Sequence, residues 1–222
     1  MRKLLKYITG KTLQPFVAAY LSRTRAYRYN DIRLTIPPQV FHPAFFFSTK
    51  YLLRYLAPHD LNNKTFLELG AGSGLISFSA EKKGAVVTST DINKTAVEYL
   101  EKNKALNNSN INIIHSDLFN DIPVQLFDVI IINPPYYKKN PQTELQHAWY
   151  CGEHGEYFER LFNDIKPYMH HDTDALIILS DDGDIQMVKD ITAKHKCALT
   201  LVDKKNMLLE TNFIYRIVIT QK

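Results

Sequence analysis

Three of the chain's eight glycines, Gly70, Gly72 and Gly74, fall within five residues, directly after the apolar run Thr65–Leu69 and directly before an amphipathic stretch over residues 75–83. Glycine reaches positive φ without the clash that a Cβ brings, and it lets another group approach the backbone closely. The helix that comes next turns its first free amides toward the same spot. Strand, glycine turn and helix in that order form the start of a βα unit, although a run this short also occurs as a plain tight turn.

From about residue 62 the pattern repeats. Apolar runs at 65–69, 85–90, 111–115, 127–132 and 175–179 read as strands, with helical stretches at 75–83, 93–106, 157–165 and 185–195. Such alternation builds a parallel sheet with helices on both faces. The run at 127–132 is apolar throughout after Asp128, as a strand buried on both sides requires. The last two runs, 198–202 and 213–220, are separated by only ten residues. That is too short for a crossover helix, so they are expected to pair as an antiparallel hairpin at the sheet edge. The prediction is an α/β fold with a Rossmann-like sheet of seven strands, mostly parallel and finished by that hairpin. The 222 residues suffice for one such domain with a short extension.

Charge divides the chain unevenly. Residues 1–36 carry eight basic side chains against Asp31 alone, whereas the rest carries 19 basic and 22 acidic ones. We expect a basic, helical N-terminal appendage over residues 1–36 and the main domain over residues 37–222. The appendage either meets an anionic partner or is a solvated face. Pro37 and Pro38 keep residues 33–41 extended, and residues 48–56 form a helix capped by Ser48 or Thr49. Cys151 and Cys197 are the only cysteines, and the eight histidines show no metal-site spacing. No apolar run approaches the roughly 20 residues of a membrane helix. A cytoplasmic protein without a structural metal or a membrane partner is the expectation.

Two acids downstream give the glycine run its meaning. Asp91 ends the second strand, where a carboxylate accepts hydrogen bonds from ribose hydroxyls; it is also placed to cap the next helix. Asp117 ends the third strand, either to accept from an adenine amino group or to fix a turn. Dinucleotide sites space their glycines as G-x-G-x-x-G. Here the spacing is G-x-G-x-G, which favours S-adenosyl-L-methionine, with Glu68, Gly70, Gly72, Asp91, Asp117 and Asn133 as its expected contacts.

Asn133-Pro134-Pro135-Tyr136 stands immediately after the fourth strand. Two prolines remove two backbone donors and stiffen the turn, leaving the Pro134 carbonyl free to accept. Together with the Asn133 side-chain oxygen this makes two acceptors for the two hydrogens of one NH2 group, and the Tyr136 ring can stack on a planar amide or base. Asn133, Pro134 and Tyr136 are therefore the expected catalytic set. Amide and exocyclic amino nitrogens share this geometry, so glutamine, adenine and guanine all remain acceptors.

The set formed by residues 68–74, Asp91, Asp117 and residues 133–136 resembles the class I methyltransferases. Residues 148–155, AWYCGEHG, are similar to the Ala-Leu-x-Gly-Gly-x-Asp-Gly segment of the HemK/PrmC group, and Val40-Phe41-His42-Pro43 is similar to the Val-Tyr-x-Pro stretch of its small eukaryotic and archaeal members. The resemblance covers residues 40–220. It implies N-methylation of a protein glutamine amide, as on translation release factors. The rival acceptor is an exocyclic amine of adenine or guanine in RNA or DNA, which would suit the basic residues 1–36. This chain departs from the group at Cys151 and His154, where glycine and aspartate are usual, and at Phe45-Phe46-Phe47, which replace an acidic pair.

Overall fold

A computed structural model describes residues 20–44, 47–207 and 210–220. It opens with β1 (Arg25–Tyr29) and β2 (Ile32–Ile36), an antiparallel hairpin. Asn30 sits at φ 53°, as the tight turn of a hairpin demands. α1 (Phe47–Leu56) is next, then β3 (Thr65–Leu69), α2 (Leu75–Lys82), β4 (Val86–Asp91), α3 (Lys94–Leu106), β5 (Asn112–His115) and β6 (Phe127–Ile132). After a 3-10 turn at Glu144–Ala148 come α4 (Glu156–Asp164), β7 (Met169–Ser180), α5 (Ile185–Lys194), β8 (Cys197–Asn206) and β9 (Thr211–Ile219).

Seven strands form one sheet in the order β5-β4-β3-β6-β7-β9-β8. The first five are parallel, while β9 runs antiparallel to both β7 and β8 and slots between them. This is the expected seven-stranded fold with its closing hairpin. Chain order reverses between β3 and β6, and in open α/β sheets the crevice at such a point, outside the carboxyl ends of the strands, takes the ligand.

Period-two geometry divides the central strands between two cores. Phe66, Val129, Ile131, Leu176 and Ile178 face one cluster with β2, α1, α2 and α3. Leu67, Leu69, Ile130, Ile132, Ala175 and Ile177 face the other, with α4 and α5. Continuous apolar runs are what strands covered on both faces need.

Two expectations are corrected. The helical reading of residues 1–36 fails over residues 25–32; these form the hairpin together with residues 33–36, which are extended as expected, while residues 1–19 lie outside the described residues. The reason is periodicity: Ile32, Leu34 and Ile36 recur every second residue and are all buried in the first core. Asn103 on α3 and Asn107, which caps the end of that helix one turn later, complete the strand's other edge. Their side-chain amides exchange hydrogen bonds with the backbone N–H and C=O of Thr35 and Arg33 at 2.7–3.2 Å. The fifth strand of the sheet, β7, is also longer than residues 175–179, because it begins at Met169 and reaches β6 through a register shift. The polar residues 170–174 that enter this irregularity carry no strand pattern.

Candidate active site

Glu68, Gly70, Gly72, Asp91, Asp117, Asn133, Pro134 and Tyr136 all line one cavity at the carboxyl ends of the parallel strands, whereas Gly74, Cys151 and His154 do not reach it. Gly70, just after β3, has φ 71°, and a Cβ there would meet nothing within 4 Å. The residue is left bare toward the cavity. Gly74 has the opposite reason to lack a side chain. At φ 80°, a Cβ would lie 2.7 Å from the Phe78 ring and closer still to Leu100, so α2 could not start where it does.

Asp91, only 8% exposed, ends β4 and ties the loop together. Its Oδ2 accepts from the Gly72 amide and its Oδ1 from the Asn93 amide, both at 2.8 Å. Burial raises its pKa against the pull of these two bonds. The helix cap is Asn93, whose Oδ1 accepts from Thr95 N at 2.9 Å, so Asp91 is not the cap of α3. Each carboxylate oxygen has a second lone pair available to a ligand's hydroxyls. Glu68 faces the start of α2, where Oε2 accepts from the amide (2.8 Å) and hydroxyl of Ser77. Burial pushes its carboxyl up to about 8 despite those bonds.

Asp117 lines the cavity beyond β5, with Oδ2 at 2.8 Å from Arg160 Nη1 on α4. Tyr157, one turn earlier on α4, lines it too. Burial raises its hydroxyl pKa, and the charges of Asp91 and Asp117 add to the rise. Neither Tyr157 nor Arg160 was picked out from the sequence. Both belong to the amphipathic face of a helix, and nothing local marks them as reaching the third strand's acid.

At the other end, the 133–136 corner leaves β6 with Pro134 and Pro135 buried. Asn133 Nδ2 donates to Ser48 Oγ at 3.2 Å. Tyr136 is wedged between the Tyr137 ring, at 4.8 Å, and Gly183, where a Cβ would come within 3.0 Å. Burial chiefly raises its pKa, with Tyr137 and then Glu210 adding to the rise.

The segment that resembles the HemK/PrmC stretch is strapped to this corner by backbone bonds. Tyr137 N donates to Trp149 O, Cys151 N to Tyr137 O and Gly152 N to Lys139 O, at 3.0–3.1 Å. That brings Trp149 to the cavity wall, with its ring 5.6 Å from Phe41. Cys151 is buried behind the strap, and burial pushes its thiol up to about 11, so it has no thiolate to act as a nucleophile. His42, one residue on from Phe41, is buried with its ring edge-on to Tyr27 at 5.4 Å, tying this wall to the hairpin.

Among the described residues the cavity lining holds five acids, Glu68, Asp91, Asp117, Glu144 and Glu210, and no lysine or arginine; Glu68 keeps its proton to about 8, and Arg160 pairs with Asp117 from outside the lining.

Residues 32–151 match the methyltransferase small domain family. The chain is a small-domain methyltransferase. This methyltransferase is 38% identical over 144 residues to a relative from Methanocaldococcus jannaschii named as a protein N5-glutamine methyltransferase, a match covering 62% of this chain and 71% of that one. It is 28% identical over 123 residues to the release factor glutamine methyltransferase of Lactococcus lactis, covering 54% and 44%. Matches to rickettsial bifunctional methyltransferases span only 16% of those proteins. Among solved structures, the E. cuniculi Mtq2–Trm112 complex, responsible for methylation of the eRF1 translation termination factor, aligns at TM-score 0.62 and 21% identity, over 81% of this chain and 98% of that one. The T. thermophilus 16S rRNA N2 G1207 methyltransferase aligns at 0.63 and 18% identity, over 90% and 50%. At such identities the likeness is one of fold. No described helix is long and apolar enough to cross a membrane.

Proposed function

We propose that this methyltransferase uses S-adenosyl-L-methionine to methylate the side-chain amide nitrogen of a glutamine in a protein substrate. The cavity suits the cofactor in its bare Gly70 surface, in the unused lone pairs of Asp91 and in the second acid, Asp117, beyond β5. Gly70, Gly72 and Asp91 would hold the amino-acid and ribose portions, with Asp117 toward the base. Glu68 assists by fixing the start of α2. When bound, the cofactor supplies a methyl group made electrophilic by a positively charged sulfur.

In this reading the chain's own residues do the positioning. Asn133 Oδ1 and the Pro134 carbonyl accept the two hydrogens of the acceptor amide, and the Tyr136 ring lies along its plane. Aligning a nitrogen with an electrophile removes several kcal/mol of barrier without a strong base. The nitrogen sheds one proton to solvent once it has become cationic, and a neutral N-methyl amide results.

The observation that carries the choice of acceptor is a cavity lining that holds acids and, among the described residues, no lysine or arginine. A polynucleotide would bring phosphates past Glu144 and Glu210 with no cation of the lining to meet them, whereas a neutral or basic polypeptide has no such cost. The names of the archaeal and lactococcal relatives point the same way. A cytoplasmic setting, with both cysteines free, accords with a substrate in the translation apparatus.

The test is to incubate the purified chain with methyl-labelled cofactor and cell extract, then digest separately with protease and with nuclease. Label released by protease and recovered as N5-methylglutamine after complete enzymatic digestion is the expected result. Label released only by nuclease would replace this reading with base methylation.

A further inference from the structure

An asparagine side chain can face an acceptor with either end, and only its oxygen can take a hydrogen from an NH2 group. If Nδ2 faced the acceptor, two donors would meet and the nitrogen would be pushed off line. Something must therefore choose the orientation of Asn133. An asparagine in a turn commonly spends its oxygen on the backbone N–H two residues ahead. Here the next two residues are both prolines and offer no N–H. The sequence thus frees Oδ1 from its usual local partner and leaves the orientation to be set from elsewhere.

The structure supplies a partner 85 residues away. Ser48 Oγ lies 3.2 Å from Asn133 Nδ2. Ser48 is itself 8% exposed, on the first turn of α1, and lines the same cavity. Its backbone is held by the buried face of that helix, Thr49, Tyr51, Leu52, Leu53 and Leu56. We infer that Ser48 is a positioning residue: by accepting from Nδ2 it holds Asn133 with Oδ1 turned toward the acceptor nitrogen. It acts through Asn133 and touches neither methyl nor acceptor. The inference rests on the proposed N-methyl transfer, in which Asn133 receives the acceptor.

Initial rates of S-adenosylhomocysteine formation test it, with the full chain, recombinant translation termination factor as the acceptor probe, and Ser48→Ala, Ser48→Thr, Asn133→Ala and the Ser48→Ala/Asn133→Ala double variant. Ser48→Ala is expected to lower kcat by about 10- to 100-fold, the scale of a misplaced reacting group. Cofactor affinity should stay within about twofold. Ser48→Thr keeps a hydroxyl and should restore most of the rate, and the double variant should be no slower than Asn133→Ala alone. An activity-independent arm reads the Asn133 side-chain NH2 resonances, assigned by their loss in Asn133→Ala; in Ser48→Ala they should shift and exchange faster with solvent. Unmoved resonances, a Ser48→Ala rate equal to wild type while Asn133→Ala is inactive, or threonine failing as badly as alanine would each overturn the inference. Asn133→Ala turning over at the wild-type rate would instead remove the acceptor reading, and the resonance arm would still decide whether Ser48 orients Asn133.

Discussion

The two ends of the cavity are built on different length scales. At the glycine end, Gly72 bonds to Asp91 across 19 residues and Ser77 to Glu68 across nine, all within two consecutive βα units. At the Asn133 end, that residue reaches back 85 residues to Ser48, the 137–139 stretch is strapped to residues 149–152, and Glu210 arrives from the β8–β9 hairpin. A site written into one short stretch can be passed whole between proteins, whereas one assembled from four separate segments can change its substrate by altering any of them. The glycine end would then carry what the family shares, and the Asn133 end, in the proposed reading the one that receives the acceptor, what distinguishes its members.

If that division holds, substitutions at the two ends should fail in different ways. Asn133→Ala should cost the most, about 100- to 1,000-fold in kcat, the usual penalty for losing a hydrogen-bonding group aligned with the reacting centre. Its affinity for S-adenosylhomocysteine, read by calorimetry, should hardly move. Asp91→Ala should show the reverse, weakening that affinity about 10- to 100-fold, as expected for lost hydrogen bonds to a charged group. Turnover at saturating cofactor should survive. Equal loss of affinity in both variants would break the division.

Smaller effects sharpen it. The Glu68 carboxyl holds its proton to about 8 in the folded chain, but only to about 4.3 once unfolded and solvated. Within that window the folded state binds the extra proton, so stability falls as pH rises from about 5 to 8. In Glu68→Gln the decline of Tm over this range should flatten, because the amide still accepts from Ser77 and carries no charge; an unchanged Tm slope would mean that Glu68 is ionised throughout. The smallest effect belongs to Arg160→Ala. Its ion pair with Asp117 is partly solvated, so cofactor affinity should weaken by no more than about fivefold.

The same contrast in length scale explains what the sequence disclosed. The central strands were legible because a strand covered on both faces must be apolar at every position, and the closing hairpin because ten residues cannot hold a crossover helix. That Gly70, Gly72, Asp91 and the 133–136 corner would fall at strand ends was legible because backbone conformation confines them there. The β1–β2 hairpin was missed because its interleaved arginines mask the alternation of Ile32, Leu34 and Ile36. Ser48 was anticipated as a helix cap, whereas its hydroxyl bonds to Asn133 instead. Arg160 and Tyr157 could not be read, since their partners lie on elements brought near only by the crossover from β6 through α4. A local signal survives in sequence when the contact it makes is local.

The most direct measurement is a crystal structure of the chain with S-adenosylhomocysteine. The account predicts ribose hydroxyls within hydrogen-bonding reach of Asp91, about 3 Å, and the sulfur facing Asn133 across the cavity. A nucleoside bound away from Asp91, or a sulfur turned from the 133–136 corner, would contradict it.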